Sequence, residues 1–130
     1  MEYQYKKEVG APYAQAVLMM REELQKEGFG VLTEIDVKET LKKKLNVDFE
    51  HYIILGACNP PLAHRALQSE HDLGLMLPCN VIIYSKNGKT FVAAIRPTAQ
   101  LEKIRNPELS EIAVQVEAKL KKAVDSVASK

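Results

Sequence analysis

The sequence predicts one small soluble domain that mixes helices and strands, and three features predict it. Tyr52-Ile53-Ile54-Leu55 is a continuous apolar run of the kind found in a strand buried on both faces. Two β-rich runs, Cys79 to Lys86 and Lys89 to Arg96, flank Asn87-Gly88, the preferred pair for a type I′ hairpin turn. After Asn106-Pro107, the residues Leu109, Ile112, Ala113, Val116, Leu120, Ala123, Val124 and Val127 keep helical spacing over about five turns, so this last helix should cover one sheet face. A chain of 130 residues that is 46% apolar can fill one continuous core, and two domains would be crowded, so residues 1–130 read as a single domain.

Tyr3 to Val9 alternates weakly as a first strand, ended by Gly10-Ala11-Pro12, where the proline suits the opening turn of a helix. Tyr13, Val17, Met20 and Leu24 then fall on one helical face, and Gly28 is a natural stop after Glu27. Gly30 to Val37 alternates, with Val31, Thr33, Ile35 and Val37 on one side, and predicts a strand with one buried face. Asp36-Val37-Lys38-Glu39 resembles a capping box ahead of a short helix with Val37, Leu41 and Leu45 on one side. Its run Lys42-Lys43-Lys44 reads as a solvated face near the negative end of the helix dipole.

The central strand should span His51 to Cys58 and run into Asn59-Pro60-Pro61, where Asn59 caps a helix carrying Leu62, Ala63, Ala66 and Leu67. His71 to Pro78 is an apolar connector, and Thr98 to Arg105 has room for a short helical turn after Pro97. No internal repeat, low-complexity segment or linker interrupts the chain.

Eighteen basic residues against seventeen acidic ones leave a net charge of +1, so charge announces neither nucleic acid nor anionic lipid as a partner. The N-terminus lacks the basic-then-apolar order of a secretory signal, and no apolar stretch approaches the roughly 20 residues of a membrane span. The expected location is cytoplasmic, with both cysteines reduced.

Chemistry points to the two asparagine-flanked cysteines, Cys58-Asn59 and Cys79-Asn80. A two-residue turn at Asn87-Gly88 fixes the hairpin register. It sets Tyr84 opposite Phe91, Ile83 opposite Val92, Ile82 opposite Ala93, Val81 opposite Ala94, and Cys79 opposite Arg96. Arg96 should then reach the Cys79 sulfur and favour its thiolate, while Cys58 precedes a helix N-terminus that presents unpaired N–H groups. The two cysteines share a sheet edge only if strands 51–58 and 79–86 run antiparallel, the arrangement expected here.

Leu55-Gly56-Ala57-Cys58-Asn59-Pro60, Leu62-Ala63, Ala66-Leu67 and Gly74-Leu75-Met76-Leu77-Pro78-Cys79-Asn80-Val81 together resemble the prokaryotic family called domain of unknown function 302. Asp36-Val37-Lys38-Glu39-Thr40-Leu41 and Asn46-Val47-Asp48-Phe49 extend the likeness over nearly the whole chain. The resemblance implies a compact α+β fold, mainly antiparallel, in roughly β-α-β-β-β-β-α order with the short helices inserted. It implies no activity, cofactor or catalytic residue.

The leading functional expectation is a binding or sensing module for a small polar or anionic ligand, with its pocket at the sheet edge near Cys58, Asn59, Cys79, Asn80 and Arg96. The alternative is thiol chemistry, with Cys58 and Cys79 as nucleophile and resolving partner. A metal site from Cys58, Cys79 and His64 or His71 ranks third, because the paired ligand spacings of zinc sites are absent and the expectation is no metal. A structural homodimer through a sheet edge or the last helix is the remaining alternative.

Overall fold

The computed structural model describes residues 2–130 and builds one five-stranded antiparallel sheet from β1 (Gln4–Val9), β2 (Gly30–Asp36), β3 (Tyr52–Cys58), β4 (Cys79–Lys86) and β5 (Lys89–Ile95). The spatial order is β1-β5-β4-β3-β2. Helices α1 (Tyr13–Lys26), α2 (Val37–Leu45), α3 (Pro60–Ser69), α4 (Pro97–Gln100) and α5 (Pro107–Ala128) intervene, with a 3-10 segment at His71–Met76. The fold is α+β in the expected order, and its 22-residue last helix lies on the sheet.

Helices α1 and α5 pack side by side over one sheet face. Met20 and Leu24 from α1 and Leu120, Val124 and Val127 from α5 meet Leu55, Val81, Ile83 and Val92, and these side chains form the main core. Alternation along each strand sends the neighbouring residues to the opposite face, where Tyr52, Ile54, Ile82, Tyr84 and Phe91 remain partly exposed. A second cluster, Leu62, Ala66, Leu73, Leu109 and Ile112, forms where α3 and the 3-10 segment meet the start of α5.

The hairpin has the register that its two-residue turn dictates, from Lys86 with Lys89 to Val81 with Ala94, and Asn87 and Gly88 both take positive φ. Gly28 at φ +85° ends the first helical region in the left-handed conformation that glycine adopts at least cost. Strands β3 and β4 are antiparallel, with Ala57 opposite Cys79.

Strand β2 departs from expectation. Alternation predicted one buried face, yet Val31 is half-buried and Leu32 through Asp36 are exposed. The reason is position: β2 is an edge strand, and a register shift between Val31 and Thr33 breaks its alternation. Helix α2 likewise buries no residue, and Leu45 is exposed, although Asp36 caps its start by accepting from the Glu39 N–H at 3.0 Å.

Candidate functional site

Strand β3 ends at Cys58 and turns through Asn59 into α3. The Asn59 Oδ1 accepts from the Leu62 N–H at 3.4 Å, and its Nδ2 donates to the Glu27 carbonyl at 3.3 Å. One side chain therefore caps α3 and ties it to the end of α1. Both halves of the amide are occupied, so this asparagine has little left to offer a ligand.

Cys58 and Cys79 line one cavity of about 360 Å³, enclosed by the ends of β3 and β4, α3, the 3-10 segment, α4 and the first turns of α5. Its walls are carbon-rich: Phe29 from the loop before β2, Leu62 and Ala66 from α3, Leu73 from the 3-10 segment, and Leu109 and Ile112 from α5. Leu32, Gly74 and Met76 are exposed residues of the same lining and mark its outer rim. Gln100 contributes the other amide, and its Nε2 donates to the Met76 carbonyl at 3.4 Å.

The remaining expected site residues lie elsewhere. Asn80 is exposed on the opposite sheet face, one residue out of phase with the buried Cys79. Arg96 follows the end of β5 and does not serve Cys79. Its Nε donates to Glu117 Oε2 at 3.1 Å, and one terminal nitrogen donates to the Glu2 carbonyl at 2.9 Å. The guanidinium expected to favour the Cys79 thiolate is instead held by a carboxylate on α5. Burial pushes the Cys79 thiol up to about 11, with the neighbouring Cys58 adding to the rise. His64 and His71 are exposed and outside the cavity, and the described residues contain no group of three or more His, Cys, Asp or Glu side chains that could hold a metal.

Glu117 is the polar centre that sequence reasoning missed. It is buried on α5, where it accepts from the Thr98 N–H at 3.0 Å, the Thr98 hydroxyl at 2.6 Å, Arg96 and Lys121. Burial works to raise its pKa, but the Thr98 hydrogen bonds, Arg96 and Lys121 outweigh burial and hold it at about 2. Its signal was available in the sequence, since Glu117 interrupts the buried face of α5 between Ala113 and Leu120. The network fixes α4, one wall of the cavity, onto α5.

No helix among the described residues is long and apolar enough to cross a membrane. The family model Domain of unknown function DUF302 matches residues 5–127. The crystal structure of an uncharacterized conserved DUF302 protein from Bacillus stearothermophilus superposes with a TM-score of 0.92 at 33% identity, covering 98% of this chain and 99% of that one. No curated protein matches. The chain belongs to the DUF302 family.

Proposed function

We propose that this DUF302 domain is a binding module for a small apolar ligand, seated in the cavity beside Cys58 and Cys79. The cavity lining carries the reading. A space of about 360 Å³ lies in the size range of small-molecule pockets, and its walls present leucine, isoleucine, alanine and phenylalanine carbon. The two amides in the lining donate to main-chain carbonyls, and the arginine sequence reasoning placed beside the thiols is paired with Glu117. A polar or anionic ligand would lose hydration without gaining partners, so the chemistry of the walls favours an apolar body.

The neutral fluorophore N-phenyl-1-naphthylamine tests this, because the chain has no tryptophan to interfere. Saturable binding at one site per chain is expected. Ala63→Leu, which adds carbon to the lining from α3, should weaken binding at least tenfold while leaving the melting temperature nearly unchanged. Absence of saturable binding, or binding indifferent to Ala63→Leu, would count against the proposal.

Thiol chemistry is the second reading, favoured by the presence of both cysteines in one lining. The raised pKa of Cys79 shifts the nucleophilic role to Cys58.

A further inference from the structure

The cavity beside the cysteines constrains the chemistry of its occupant beyond apolarity. None of its lining residues is charged, and none carries a hydroxyl. Helix α3 begins at its wall, yet the helix N-terminus presents no free donor there. Pro60 and Pro61 have no N–H, the Leu62 N–H goes to the Asn59 side chain, and the Ala63 N–H goes to the Asn59 carbonyl at 2.8 Å. With Arg96 held by Glu117, a phosphate or carboxylate inside the cavity would find no partner.

The mouth is apolar as well. Leu32 and Met76 belong to the lining and are 66% and 36% exposed, and Leu75, between the lining residues Gly74 and Met76, is 90% exposed. A compact ligand sealed inside would leave these side chains in water, whereas a chain that continues outward covers them. An apolar cavity of about 150 Å³ holds benzene, so one of about 360 Å³ accommodates a chain of roughly 10–14 carbons. One chain fits, and two do not.

We propose that the ligand is a single-chain amphiphile, held by its alkyl tail with its polar head outside the mouth. On the binding-module reading above, on which this rests, selection falls to the tail. Each methylene that enters gains about fourfold in affinity, and the gain stops when cavity and rim are filled. The head meets no charged side chain among the lining residues, so its charge has little effect. A two-chain lipid is a poorer occupant, because its second chain would stay in water.

Displacement of bound N-phenyl-1-naphthylamine by octyl, decyl and dodecyl maltoside, each below its critical micelle concentration, tests the proposal, with circular dichroism to confirm folding. Affinity should rise about fourfold per methylene. Dodecanoate and dodecyltrimethylammonium should bind within about tenfold of dodecyl maltoside. Leu32→Ser and Met76→Ser, at exposed positions of the rim, should weaken the dodecyl ligand more than the octyl one, and Leu18→Ser, exposed on α1, should change neither. A fluorophore that binds but is not displaced, affinity that does not rise with chain length, a preference beyond about tenfold for one head charge, or rim variants that do not weaken the longer chain more than the shorter would overturn the amphiphile and leave the apolar cavity a binding site. A fluorophore that does not bind at all would remove the binding-module reading and the amphiphile with it.

Discussion

Arg96 and Glu117 are joined at 3.1 Å, and the bond determines what the end of β5 can do. It removes a cation from the cysteines and, with the Thr98 hydrogen bonds, clamps α4 onto α5.

Glu117→Ala should cost about 2 kcal/mol, because it leaves Arg96 and the Thr98 N–H without their carboxylate. Folding lowers the pKa of this carboxyl from 4.5 to about 2, so its contribution is fully present above the ordinary value and is lost as pH falls toward 2. Urea unfolding followed from neutral pH to pH 2 should show a steep acid limb, and Glu117→Gln should flatten it.

Cys79 should be the slow thiol. A rise from 9.0 to about 11 lowers the thiolate fraction at neutral pH about 100-fold, and burial adds a steric barrier. Iodoacetamide with mass-spectrometric readout should label Cys58 first and Cys79 only under denaturing conditions. Equal labelling rates in the folded protein would contradict the burial of Cys79.

The hairpin register was legible because Asn87-Gly88 constrains its neighbours locally, and α5 was legible because its stripe repeats over many turns. The Arg96 partner was not. Glu117 lies 21 residues away, and only the packing of α5 beside β5 brings the two together. Strand β2 illustrates a different limit, since Val31, Thr33, Ile35 and Val37 read the same whether a neighbour covers them or the strand ends the sheet. Both cysteines were found as a pair. The apolar walls of the pocket expected beside them were not, because α4 and the 3-10 segment are too short to show a period.

Gly56 should tolerate no side chain. A Cβ there would lie 2.6 Å from Pro78 Cγ and would also collide with the Thr33 hydroxyl. Gly56→Ala should destabilise by about 1–3 kcal/mol, the usual range for overpacking, and Thr33→Ala in the same chain should recover part of the loss. Paired urea titrations measure both effects.

Asn59 is expected to act on stability and not on the ligand. Asn59→Ser keeps a cap oxygen and loses the tie to Glu27, costing about 1 kcal/mol, whereas Asn59→Ala loses both and costs about 2. Both variants should bind the fluorophore as the parent does. Lost binding at unchanged stability would make the amide a ligand contact.

Methyl NMR during titration with N-phenyl-1-naphthylamine tests the binding proposal most directly, since it reports both occupancy and place. The account predicts saturable shifts at Leu62, Ala66, Leu73 and Ile112, which line the cavity, with Ile35, Ile54 and Ile82 on the open sheet face unmoved. No saturable shift at the cavity methyls, or shifts confined to the three sheet-face isoleucines, would contradict it.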